Sequence, residues 1–143
     1  MVQQFLTSDQ NWALFILRVI LGIVILPHGL QKLLGWYGGN GFSATMKNFT
    51  TNIKQPAVVA FLVIIGESFG SAGLILGLLT RLDALGLVIT QVGAIFMVHA
   101  KKGFFISKGG YEYNLLIVVV ALVILIWGGG PLSVDQWLLA LAR

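Results

Sequence analysis

Four apolar stretches constrain this chain more than any other feature: roughly Trp12 to Leu34, Ala57 to Leu79, Leu82 to His99 and Tyr113 to Trp127. A helix rises ~1.5 Å per residue and the hydrocarbon core of a bilayer is ~30 Å thick, so about 20 apolar residues make one crossing. The last two stretches are short, and must recruit flanking residues or lie where the bilayer is thin. A soluble bundle would carry a polar stripe along each helix, and Leu115 to Trp127 has none. With 57% of its 143 residues apolar and 10% charged, the chain also lacks the polar surface that would coat a water-soluble globule. The expected fold is all-α: one integral membrane domain, residues 1–143, built as a four-helix bundle in contact with lipid.

The first stretch reads as a retained helix rather than a cleavable signal. Asp9 stands where a basic leader region would be, and Arg18 and Lys32 interrupt the apolar run with no small-residue cleavage site nearby. The chain has no cysteine, which excludes disulfides, thiolate nucleophiles, iron–sulfur ligation and c-type haem attachment. The formal charge of +4 comes from lysines at the expected headgroup level, and no basic helix with interleaved aromatics points to nucleic acid. Lys47, Lys54, Lys101, Lys102 and Lys108 follow the first and third stretches, whereas Arg81 and Arg143 lie on the other side. The positive-inside rule therefore predicts lysine-rich loops in the cytoplasm of a cell-membrane protein, with both termini outside.

The connections have patterns of their own. Thr80 to Leu82 is a tight turn that forces the second and third helices antiparallel. After the first helix, Gly35-Trp36-Tyr37-Gly38-Gly39-Asn40-Gly41 reads as a flexible turn, since no Gly-Lys-Ser/Thr ending follows to cradle phosphate. Phe42, Met46, Phe49 and Ile53 then recur at helical spacing, which predicts an interfacial amphipathic helix. Asn48-Phe49-Thr50 matches a glycosylation triplet, a pattern too short to weigh. Gly128-Gly129-Gly130-Pro131 breaks the fourth helix, and Ser133, Val134, Trp137, Leu138 and Leu141 restart a short amphipathic one along the outer interface. The sequence at His28 to Lys32, followed by Gly38-Gly39, is faintly echoed at His99 to Lys102, followed by Gly109-Gly110.

Chemistry in such a chain must come from polar residues within the apolar helices. Glu67 lies about ten residues into the second helix, roughly 15 Å deep, where a carboxylate must be paired or neutral; it is the candidate proton-handling residue. Arg18, about 9 Å in from the outer end of the first helix, is its first candidate partner. Lys32 is fourteen residues from Arg18 and only about 40° away around the axis, with His28 one turn before it, so one face of this helix is polar along its length. Gln91, His99 and Glu112 extend the set as ligand-binding candidates, with Tyr113 and Asn114 beside Glu112 and a Lys32–Glu112 pair expected. A structural ion pair holding helices in register accounts for the same residues almost equally well. Gly66, Gly70, Gly73 and Gly77 are spaced for close helix packing beside Glu67. His28 and His99 sit near the same end of parallel helices, as bis-histidine haem would need, but ordinary hydrogen-bonding histidines are the preferred reading. No histidine–carboxylate spacing of a metal site occurs, and no intrinsic cofactor motif is evident.

The chain resembles the DoxX family of small membrane proteins. The resemblance is carried by Arg18 with His28-Gly29-x-x-Lys32, by Glu67-x-x-Gly70-x-x-Gly73-x-x-x-Gly77-x-x-Thr80-Arg81, by Gly109-Gly110-x-Glu112, and by the glycine–proline break before Ser133-x-Asp135. Tyr113-Asn114 depart from the apolar residues usual in that family. The resemblance implies a four-helix inner-membrane protein of a mostly uncharacterised family, some members of which take part in quinone-linked sulfur oxidation or oxidant defence. It marks Arg18, Lys32, Glu67, Arg81 and Glu112. The leading expectation is a redox-associated subunit that binds a quinone or another amphipathic molecule, with Glu67 accepting a proton, His28 or Lys32 donating to a carbonyl, and electrons supplied by a partner protein. The alternatives are a non-enzymatic scaffold or assembly factor whose buried charges fix helix register, and a small-molecule transporter; the partners expected are lipid, a redox protein and a second copy in a homo-oligomer.

Overall fold

In lipid every main-chain N–H and C=O must be satisfied within its own segment, so apolar runs of this length can only be helices. The computed structural model describes residues 10–143 and is all-helical there. Asp9, on which part of the retained-leader reading rests, lies outside the described residues. The elements are α1, Gln10–Leu33; α2, Gly41–Lys47, continued by a π-helical turn, Asn48–Asn52; α3, Ala57–Leu76; α4, Thr80–Lys102; α5, Glu112–Trp127; and α6, Val134–Leu141. Three of these, α1, α3 and α4, are long and apolar enough to cross a membrane. The fourth, α5, has 16 residues, about 24 Å of helix, as the shortness of its apolar run predicts.

Connectivity makes α1, α3, α4 and α5 alternate in direction. Packing runs mainly between α4 and α5 and between α1 and α3. The core where the four meet holds Leu21, Ile25, Leu74, Leu87, Ile117 and Ile124. Large apolar side chains such as Ile20, Phe61, Phe69, Ile89, Phe96 and Leu116 point outward and exposed, the reverse of a water-soluble surface and the arrangement a lipid solvent requires.

The α1–α3 contact is made by glycines of α1. A Cβ on Gly29 would lie 2.3 Å from the Glu67 carbonyl oxygen, and one on Gly22 would lie 2.7 Å from that of Ser71. The two glycines are seven residues apart and let the backbones touch. Within the α3 ladder Gly73 and Gly77 are also closely packed, against α4 and the chain after α5, whereas Gly66 is open. A Cβ on Gly66 would meet nothing within 4 Å, Gly70 and Gly73 lie against the Asp83 side chain, and Gly77 ends the helix at φ +72. A π-helical turn, Gly66–Gly70, widens α3 at the ladder's open end.

Gly77 is followed by a turn in which Leu78 N–H donates to Gly73 O (2.9 Å), a left-handed helix stop. Leu79 has φ 52, a conformation that is strained for a leucine. Asp135 offsets this by accepting from Leu79 N–H (2.7 Å) and Thr80 N–H (2.9 Å), capping α4 from a distant part of the chain. The α6 helix is therefore pinned beneath the α3–α4 turn.

Candidate functional site

The polar face of α1 is split between the two ends of the bundle. Arg18 is 1% exposed. It does not pair with Glu67, as the sequence led us to expect. Its Nε donates to Gly129 O (3.1 Å), one terminal nitrogen to Leu74 O (3.0 Å) and Ile75 O (2.7 Å), and the other to Leu132 O, while Phe15 covers the guanidinium at 5.1 Å. The physical reason is distance along α3: Leu74 lies seven residues, about 10 Å, beyond Glu67, and the last carbonyls of a helix are unpaired acceptors carrying partial negative charge. Arg18 is a clamp joining the end of α3 to the chain after α5.

Lys32, near the other end of α1, forms the ion pair with Glu67, the one such pair among the described residues. The expected Lys32–Glu112 pair does not form. Glu112 is taken up locally, its Oε1 accepting from Ile106 N–H (2.7 Å) to close the α4–α5 loop. Glu67 is 6% exposed and sits in the π-helical turn of α3, a distortion frequent at functional sites. A third π-helical turn, Ile95–His99, ends at His99, whose Nδ1 lies 2.7 Å from Gly109 O. A carbonyl only accepts, so Nδ1 is the donor in this contact.

These residues surround one cavity of about 930 Å³. Its polar wall holds His28, Lys32, Glu67, Gln91, His99, Tyr113 and Asn114, so five of the seven sequence-derived site residues converge there; Arg18 and Glu112 do not. Tyr113 and Asn114 stand beside Glu112 in sequence, yet they and not Glu112 reach the cavity. Their signal was legible as polar residues at the start of an apolar run. The remaining wall is apolar, from Leu62 of α3 to Ile89 and Met97 of α4. Phe49 and Ile53 close the loop end, so the apolar stripe of the interfacial segment serves as a cover. The cavity exists because α3 and α4 pack at their shared turn, whereas the first half of α3 leans on α1 and α2 instead. Leu62 and Ile89 are 58% and 62% exposed, which leaves the wedge open toward the lipid side. A mainly apolar chamber of this size with a few convergent polar groups is the usual form of a small-molecule site. Asp83, unremarked in the sequence, is half-buried: its Oδ2 is buried without a partner among the described residues and rests on Gly73.

The DoxX family profile matches residues 13–100, which covers α1 to α4 except for its last residues. Among curated relatives, a Haemophilus influenzae protein named "Uncharacterized protein" is 34% identical over 125 residues, 86% of this chain and 81% of the relative. The Bacillus subtilis protein named "Putative oxidoreductase CatD" is 30% identical over 122 residues, 85% of this chain and 84% of the relative. A further uncharacterized Haemophilus influenzae protein is 33% identical over 138 residues, 92% and 94% of the two chains. No solved structure matches the chain.

Proposed function

The chain belongs to the DoxX family, and on that premise we propose that it is a redox-associated membrane subunit that binds a quinone-like amphipathic ligand within the bundle. The observation that carries this reading is the lipid-facing cavity of about 930 Å³ with an ion pair at its polar end. An apolar tail would lie along Leu62 and Ile89, and a ring head would meet His28 and Lys32 as donors. A bound quinone supplies two-electron chemistry that also consumes protons. In this reading Glu67, ionised beside Lys32, accepts and passes on a proton beside the head, and Phe49 and Ile53 limit water. A haem between His28 and His99 is not part of the proposal.

The name of the Bacillus subtilis relative supports the redox half of the reading. With no cysteine in the chain, electrons come from a partner protein. The lysine-rich end, which carries the polar end of the cavity and the α2 cover, is the cytoplasmic one in this proposal, and residues 1–143 act as a single domain. The test is to purify the protein in mild detergent, extract it for quinone, and follow quinone-dependent electron transfer in membranes. Glu67→Gln is expected to lower that transfer about tenfold or more. A protein that carries no quinone and a Glu67→Gln variant with unchanged transfer would sink the proposal.

The Arg18 clamp favours a second reading, a scaffold whose buried charges only fix helix geometry, because all of its bonds go to main-chain carbonyls. That reading predicts that Glu67→Gln alters stability and partner recovery but no turnover.

A further inference from the structure

The cavity wall contains a polar pair that the proton-handling scheme leaves unused. Gln91 of α4 and Asn114 in the first turn of α5 are 5% and 7% exposed, and Asn114 Nδ2 donates to Gln91 Oε1 at 2.7 Å. Each side-chain amide carries two N–H donors and one oxygen with two lone pairs, so this bond leaves Gln91 Nε2 and Asn114 Oδ1 to be satisfied. Neither has a partner among the described residues, and neither belongs with the sealed, unpartnered atoms, which are Ser68 Oγ, Thr80 Oγ1 and Asp83 Oδ2. Both residues line the cavity, so the two free groups address its interior. Exchanging O and N in both amides reverses the bond and still leaves one donor and one acceptor facing inward. Within a membrane-spanning helix no bulk water compensates such groups, and an unmet buried amide is costly.

We propose that Gln91 and Asn114 form a paired-amide reader that selects a ligand head able both to donate and to accept a hydrogen bond. The matching chemistry is an aromatic hydroxyl, as in an alkylated phenol or hydroquinone. A quinone carbonyl accepts from Gln91 Nε2 but has nothing to offer Asn114 Oδ1. The inference rests on the cavity-ligand reading above and deepens it: the site favours the reduced, hydroxyl-bearing member of the couple. Asn114 lies in α5, outside the residues that the family profile matches.

The experiment uses the full chain in lipid nanodiscs and two matched pairs of short-tailed probes. One pair is decylhydroquinone and decylbenzoquinone, measured anaerobically; the other, inert to redox, is para-decylphenol and its methyl ether. The hydroxyl-bearing member of each pair is expected to bind about tenfold more tightly. For the two-electron couple that ratio raises the bound potential by about 30 mV. Replacing both amides together, Gln91→Met with Asn114→Leu, is expected to bring each pair within about twofold while tail-driven binding persists, because removing both partners leaves neither orphaned. Equal binding of the pair members by the native chain overturns the inference yet leaves the cavity reading standing. So does a preference that survives in the double variant. If none of the four probes binds, the cavity-ligand reading fails and this inference fails with it. The native-chain comparison decides the matter even if the double variant does not fold.

Discussion

At the end of the bundle that carries the α3–α4 turn, Arg18 is 1% exposed and its guanidinium is spent on four main-chain carbonyls. At the other end Lys32, about 21 Å along the same face of α1, meets a single carboxylate and its side chain stays 27% exposed. The first region buries its cation and carries only a smaller, more open groove of about 570 Å³ between Thr80, Gly129 and Asp135. The second is splayed around a cavity of about 930 Å³. The difference lies in what each cation is offered. A planar guanidinium with five donors can gather carbonyls from two segments, whereas an ammonium on a flexible stem leaves donors over for something else. One helix face thus carries a structural end and an end with unmet bonding capacity.

Substitutions that break or sharpen this contrast fall in a definite order. Arg18→Leu has the largest expected effect, about 3 kcal/mol or more, because its acceptor carbonyls lose their donor together. It should lower the thermal midpoint in detergent strongly and leave little folded protein; a variant as stable as the parent would refute the clamp. Gly29→Ala comes next, at about 1–3 kcal/mol, since its Cβ would strike the Glu67 carbonyl and push α3 off α1. Gly66→Ala is its control. The space around Gly66 is open, so the change should be neutral or stabilising by a few tenths of a kcal/mol, and equal costs at the two sites would break the account of helix packing. Asp135→Ala should cost about 1 kcal/mol by uncapping α4, read as a modest fall in midpoint and faster amide exchange at Leu79 and Thr80. Among the polar substitutions Glu67→Gln is expected to move stability least, about 1 kcal/mol or less, since Lys32 is exposed enough to turn toward water. Its effect should appear in quinone-dependent transfer instead. A Glu67→Gln protein as unstable as Arg18→Leu would make the two ends alike.

Much of this architecture was legible in the residues. The apolar runs located the four long helices to within a few positions, and the spacing of Phe42, Met46, Phe49 and Ile53 announced α2 and its continuation. Five of the seven site residues share the cavity because intramembrane polar groups have nowhere to go but inward. Pairings were not legible. Which cation meets Glu67 depends on the depth at which α1 and α3 touch, and Gly22 and Gly29 set that depth by letting backbones meet. The π-helical turns at Gly66–Gly70 and Ile95–His99 change the register of residues beyond them, and an α-helical wheel cannot anticipate that. Nor does hydropathy reveal that the first half of α3 parts from α4, which is what opens the cavity.

The distribution of Arg18's acceptors also sets an order of assembly. Two of them, Leu74 and Ile75, become available once the second long helix has been made, but Gly129 and Leu132 are synthesised more than fifty residues later. During membrane insertion the first helix therefore carries a partly coordinated guanidinium until the segment after Trp127 arrives, and Asp135 reaches the strained Leu79 turn later still. The contacts that join α1 and the α3–α4 turn to the segment after α5 thus come last in synthesis. A ribosome stalled before Gly129 would hold a nascent bundle whose first helix still lacks those two acceptors.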